Sequence, residues 1–179
     1  MAPFRRAMLL LFCILAFSST ATKAADEAGG GDAGRPSTHL HFYFHEDFSG
    51  GPNGTTVTVV APRSNGSYFG AVYVVDDMLR EGADPASRLL GRAQGLAIGA
   101  SLSDGALLTA LNFVFTEGPY NGSSLALFGR GLLGTVMERP IVGGTGAFRM
   151  ARGYTLSKML ASPDPNSQLI LEYDAYIWH

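Results

Sequence analysis

Residues 39–46 read HLHFYFHE, with Leu40, Phe42 and Phe44 forming an apolar row that ends on Glu46, and His39, His41, Tyr43 and His45 falling between them. An alternation of period two puts one set of side chains on each face of an extended strand. The signature recurs in TTVTVVA at 55–61 and FGAVYVVDD at 69–77, and continues at 89–102, 106–117, 123–128, 136–142, 148–160 and 168–178. Asn65-Gly66, Ser103-Asp104-Gly105, Tyr120-Asn121-Gly122 and the Pro-rich stretch at 162–166 punctuate these runs, as hairpin turns require. Only residues 77–87 leave room for a short helical turn, which Gly82 and Pro85 cut short. Eight or nine strands in such a series predict an all-β fold, an antiparallel meander. Closing it into an eight-stranded antiparallel β-barrel removes the exposed edges and leaves an interior sized for side chains or one small ligand. A two-sheet sandwich satisfies the same periodicity.

The first 24 residues obey a different rule. Arg5-Arg6, an apolar run over 8–17 and a small-residue zone ending at Ala24 make a secretory signal peptide, residues 1–24. The run is about half of the 20 residues a membrane-spanning helix needs, so the expected chain is soluble and secreted to the extracellular space. Residues 25–37, dominated by Gly, Ala and Asp, read as a flexible leader, which leaves 38–179 as one domain of ordinary size. The single cysteine, Cys13, lies inside the signal. The mature chain is therefore expected to hold together by packing, with no disulfide and no thiolate metal site. Losing Arg5, Arg6 and Lys23 with the signal leaves an excess of about five acidic charges, which argues against nucleic acid as a partner. Asn53, Asn65 and Asn121 each begin an Asn-x-Ser/Thr sequon in a Gly-rich turn and are candidate glycosylation sites.

The stretch IVGGTGAFRMARGY at 141–154 invites a phosphate-binding reading. It lacks the Gly-Lys-Ser/Thr of a P-loop, and Arg149 stands where a dinucleotide fingerprint needs its third glycine. The glycines are therefore read as a strand connection that needs positive φ or close backbone approach.

FYFHE at 42–46, VVDDML at 74–79, GRAQG at 91–95, NFVFTEGPYNGSSL at 112–125, VGGTGAFRMARGY at 142–154 and the terminal LEYDAYIWH resemble, in order, the dirigent proteins of land plants. The resemblance implies an eight-stranded antiparallel barrel related to allene oxide cyclases, secreted to the apoplast and cell wall, and a homotrimer. It implies a protein that uses no cofactor and oxidises nothing itself. Such a protein holds phenylpropanoid radicals or quinone methides, as in lignan biosynthesis, so that coupling is stereoselective, while a laccase or peroxidase acts as the external oxidant. Two other readings stand beside it: a cyclase or dehydratase acting on a quinone methide or isoflavanol-type substrate, and a lignin-organising or defence protein of the wall.

A site that orients radicals needs an apolar, aromatic-lined pocket, and protonating a quinone methide needs a carboxyl kept neutral by burial. In lignan-forming relatives the acid follows the His of FYFHD, and the matching residue here is Glu46. Sharing its face with Phe44, it is either the acid of the pocket or a solvated strand end. The second acid of the pinoresinol-forming branch has no counterpart in Gly129-Arg130-Gly131-Leu132. The family's arginine falls on Met137 and the acid after it on Glu138; Arg139, displaced by two, keeps the strand face. Pinoresinol formation is thereby put in doubt, and MERP with TEGPYNG looks closer to the pterocarpan-forming branches.

Phe44 is a candidate ring contact, and Phe113, Phe115, Tyr154, Tyr173 and Trp178 are core or subunit contacts first and substrate contacts second, with Phe113 the one taken as a candidate for substrate binding. Asp76 and Asp77 are polar groups for the pocket mouth or the start of a turn. Gln94 is a phenol partner or a structural amide, and Arg152 binds substrate or ties strands and subunits together. His39, His41 and His45 have the same-face spacing of metal ligands, but with no nearby carboxylate on that face of the strand they are read as surface histidines, and no metal site is expected.

Overall fold

The structure is a computed structural model that describes residues 36–162 and 164–179. The expected signal peptide with Cys13, and the expected leader up to residue 35, lie outside the described residues. Nine strands follow one another: β1 Thr38–Asp47, β2 Thr56–Val60, β3 Val72–Arg80, β4 Leu89–Gly99, β5 Ala106–Phe115, β6 Ser124–Leu132, β7 Met137–Thr145, β8 Arg152–Leu160 and β9 Gln168–Trp178. All pairings are antiparallel. From β3 to β9 each strand pairs with the next, and β9 pairs with β1. Then β1 closes the circle on β3 through Tyr43–Arg80, Phe44–Leu79 and His45–Met78. Eight strands thus form a closed barrel, which excludes the sandwich. The ninth, β2, adds to β3 beyond the point where β1 leaves it, with Thr56 opposite Val75.

The period-two rows decide what faces inward. In β1 these are Leu40, Phe42, Phe44 and Glu46, and in β3 Tyr73, Val75, Asp77 and Leu79. Toward the start of β1 the barrel is packed solid. Phe42 stacks on Tyr173 at 5.5 Å and meets Phe113 edge-on at 5.4 Å, while Phe113 meets Tyr173 edge-on at 5.3 Å. Phe115, Tyr120 and Phe148 extend this cluster to the barrel's end. Such pairs add about 0.5–1.5 kcal/mol each beyond the area they bury. Toward the end of β1 the interior is hollow. One reason is β4, whose inward row Gly91, Ala93, Gly95, Ala97 and Gly99 carries nothing larger than a methyl group.

Two local expectations need correction. Residues 77–87 hold no helical turn, because β3 runs on to Arg80: Leu79 occupies an inward position between Phe44 and Gly91 and is fully buried. The remaining residues form a tight bend in which Arg80 Nη1 donates to Ser87 O at 2.6 Å. The strand expected over 148–160 begins only at Arg152, after a 3-10 turn at Gly146–Phe148 that drives Phe148 into the core. The glycines before it serve that turn. Gly146 has φ +60°, and a Cβ on Gly144 would lie 2.5 Å from Phe148 O and 2.6 Å from Ser124 O.

Candidate substrate cavity

The hollow end is a cavity of about 620 Å³, inside the roughly 300–1,000 Å³ range of small-molecule sites. Its walls are Phe44, Tyr73, Val75, Leu107, Leu111 and Leu171 with their neighbours, and Phe48, the glycines at 50, 51 and 54, and β2 border it on one side. Glu46, Thr109, Arg139 and the Tyr173 side chain are among the polar groups that reach it.

Glu46 ends the inward row of β1. Thr56 Oγ1 donates to Glu46 Oε1 at 2.7 Å, and the same hydroxyl oxygen lies 3.5 Å from Asp77 Oδ1. Asp77 is fully buried behind this pair. Its Oδ1 accepts a hydrogen bond from Thr55 Oγ1, and its Oδ2 has no partner. Thr55 is held in turn by the backbone N–H of Asp47 at 2.8 Å. Burial pushes the Glu46 carboxyl above the usual carboxylate range, partly offset by the Thr56 bond. Asp77 is pushed up to about 8, first by burial and then by the neighbouring Glu46 charge, against the opposing bonds from Thr55 and Thr56 and the charge of Arg92. At neutral pH Asp77 therefore holds its proton, and no second anion faces Glu46.

Directly across the barrel from β3, four strands away in either direction, β7 presents Met137 and Arg139 inward. Arg139 Nη1 donates to Ser157 Oγ and to Tyr173 Oη, each at 3.0 Å, and Nη2 lies 3.3 Å from Met137 Sδ. The guanidinium packs over Gly131, where a Cβ would lie 2.5 Å from Nη2 and 3.0 Å from Met137 Sδ, so any larger residue there would displace one of these side chains.

Of the residues singled out in the sequence, Glu46, Phe44, Arg139 and Tyr173 line this one cavity. Others do not reach it. Glu138, between two inward positions of β7, points outward and is exposed. Asp76 and Gln94 sit opposite each other on the outer face, where Asp76 Oδ1 accepts from Arg92 Nε at 2.7 Å and from Gln94 Nε2 at 3.1 Å. Alternation makes Asp77, not Asp76, the inward acid. Phe113 belongs to the packed end rather than the cavity wall. Arg152 is exposed at the far end of the barrel, where Nη1 donates to Ala151 O at 2.8 Å.

The histidines separate as well. His39 and His41 are exposed and share Asp174 Oδ1 of β9 at 2.9 and 3.1 Å, a carboxylate that the sequence of β1 gave no sign of. His45 is buried and bonds Gly82 O at 3.0 Å, and burial lowers its pKa. Tyr154 stacks on Tyr176 at 5.0 Å on the outer face, outside the barrel core. Asn53, Asn65 and Asn121 are exposed.

Sequence reasoning named Asp77 beside Asp76 without telling which of the two faces inward, and it missed Thr55, Thr56 and the anchoring role of Tyr173. For Asp77 a signal existed: in VVDDML it shares the phase of Val75 and Leu79. For the threonines there was none.

Residues 37–178 match the family model of dirigent-like proteins. The chain is 40% identical to dirigent protein 21 of Arabidopsis thaliana over 96% of both chains, and 40% identical to pterocarpan synthase 1 of Glycyrrhiza echinata over 79% of this chain and 78% of the relative. The solved structure of a pterocarpan synthase dirigent protein superposes with a TM-score of 0.74 at 39% identity, covering 79% of this chain and 89% of that one. Family match, relatives and closed eight-stranded barrel agree, and the chain belongs to the dirigent family.

Proposed function

We propose that this dirigent protein takes phenylpropanoid-derived radicals or quinone methides into the cavity and fixes the handedness of the bond they form. The observation that carries this reading is Glu46: a carboxyl that burial shifts toward its neutral form, placed on the wall of an apolar, aromatic cavity. The walls contribute orientation, which is the main lever on a reaction with a low intrinsic barrier. Glu46 contributes the proton. It protonates the quinone-methide oxygen and restores the phenol, an internal hydroxyl attacks the benzylic carbon, and the proton that hydroxyl loses returns to the carboxylate. Asp77 acts through Thr56 as a positioning residue, holding the Glu46 site free of a second anion. The oxidation that makes the radical belongs to an external laccase or peroxidase. Coniferyl alcohol and other phenols, oxidised by a separate laccase, test the reading: an enantiomeric excess supports it, and racemic product from all of them sinks it.

A second reading is favoured by the 40% and 37% identity to pterocarpan synthases. In it the same acid drives a cyclising dehydration of an isoflavanol-type substrate. Glu46 protonates the leaving hydroxyl, water departs, and the attacking phenol returns its proton to the carboxylate. Turnover without any oxidant, abolished by Glu46→Gln, selects this reading. A lignin-organising or defence role in the wall is selected instead if Glu46→Gln leaves the biological function intact.

The setting proposed is the apoplast, reached through the signal at residues 1–24, with sugars on the sequons at Asn53, Asn65 and Asn121. Secretion of a tagged chain and its mass before and after deglycosylation test both. Val57, Val74, Leu96 and Phe128 form an outward row continuous through the register of β2 to β6, with all four exposed. We assign that row to subunit contacts of a homotrimer, which sedimentation tests.

A further inference from the structure

Arg139 is a buried cation that meets no anion among the described residues. The residue is 4% exposed. Its Nη1 is committed to two neutral hydroxyls, its Nη2 meets only a thioether, a weak acceptor, and its Nε has no partner. The arginine ion pairs among the described residues belong to Arg88, Arg92 and Arg130. The acids of the same cavity do not serve, because Asp77 lies on the opposite strand and burial favours the neutral form of both Asp77 and Glu46. A guanidinium keeps its charge in proteins, and an unpaired buried charge is costly. The chain nevertheless reserves the space for it with Gly131.

We infer that the ligand supplies the missing charge: the cavity selects a phenolic that carries a carboxylate, seated against Arg139 with its aromatic ring among the apolar walls. An ordinary carboxyl ionises near 4 and an ordinary phenol near 10, so between pH 5 and 8 only the carboxylate is a lasting anion. The remaining wall, with Tyr73, Val75, Leu107 and Leu111, suits a ring and not a second charge. This rests on the proposed phenolic substrate and narrows it to hydroxycinnamate-like acids.

The test is calorimetric titration of the intact protein with ferulate, methyl ferulate and coniferyl alcohol, which share one ring and differ in the end group. Ferulate is expected to bind at least about tenfold tighter than its ester, as a charge-assisted hydrogen bond allows. That preference should fade as the pH falls through about 4, where the ligand carboxyl takes up its proton. Arg139→Gln should bring acid and ester to within about twofold of each other. Ferulate no tighter than its ester in the unmodified protein overturns the inference, and so does a preference that survives Arg139→Gln. Should that variant not fold, the acid-to-ester ratio and its pH dependence decide alone. If the ester and the alcohol bind as well as the acid, only this inference falls; if none of the three binds, the phenolic reading falls with it.

Discussion

Thr56 donates its hydroxyl to Glu46 across 2.7 Å from a strand that is not part of the eight-stranded closure. The bond favours the ionised carboxylate while burial, the larger effect, favours the neutral acid, so the hydroxyl holds back the upward shift of Glu46. Removing the hydroxyl lifts that restraint. Thr56→Val should move the alkaline limb of the pH–activity profile to higher pH, because the group loses a bond that lowers its pKa. A limb that stays in place or moves to lower pH counts against Glu46 as the acid.

Glu46→Gln keeps the shape of the side chain and removes the proton donor. Loss of general-acid assistance costs roughly 10²–10⁴-fold in rate. The product should become racemic, or oxidant-free turnover should vanish, while the melting temperature stays near that of the unmodified protein. Chiral chromatography beside thermal denaturation reads both.

Asp77 makes stability depend on pH with a definite sign. Below about 3.8 both folded and unfolded chains hold its proton; between 3.8 and about 8 the folded chain keeps the proton that the unfolded chain releases. Unfolding then releases a proton and becomes easier as pH rises, by at most about 1.4 kcal/mol per pH unit. Asp77→Asn should remove that part of the decline. Denaturant titrations at pH 5, 6 and 7 on both proteins measure it, and equal slopes would remove Asp77 from the account.

A methyl group at position 131 would press on the Arg139 guanidinium, 2.5 Å from Nη2 and 3.0 Å from Cζ, and on Met137 Sδ at 3.0 Å, so these side chains must shift to admit it. Gly131→Ala should lower stability by about 1–3 kcal/mol, the usual cost of overpacking. It should also disturb the ion's bonds to Ser157 and Tyr173. Thermal melts give the first effect, and weaker binding of an anionic cavity ligand reports the second.

The two ends of the barrel should respond in opposite ways. Phe113→Ala opens a hole in the packed end and should cost about 3–5 kcal/mol. Ala97→Phe projects into the existing cavity and should abolish ligand binding with little change in melting temperature. Binding that persists in Ala97→Phe would place the ligand elsewhere.

The sequence alone was enough to determine that this chain forms strands, roughly where they run, and which side chains share a face, because a period of two is a local property of extended backbone. It put Glu46 in phase with Phe44, and Arg139 in phase with Met137. It also identified the glycines at 143–146 as a connection rather than a phosphate site. Where β3 stops was not legible. VVDDML reads as a strand ending in acids until β1 and β4 are laid beside it, and that misplaced limit left Asp77 undistinguished from Asp76.

Tertiary structure alone decided the rest. Thr55 and Thr56 reach the two acids because β2 docks on the length of β3 that β1 leaves unpaired. Asp174 reaches His39 and His41 because the last strand pairs with the first. Whether the barrel is filled or hollow depends on residues far apart in the chain, with Phe42, Phe113 and Tyr173 meeting at one end while Ala97 and Gly131 leave room at the other. Alternation fixes the direction in which a side chain leaves its strand; what it meets there depends on long-range pairing, and the protonation of Glu46 and Asp77 follows from that meeting.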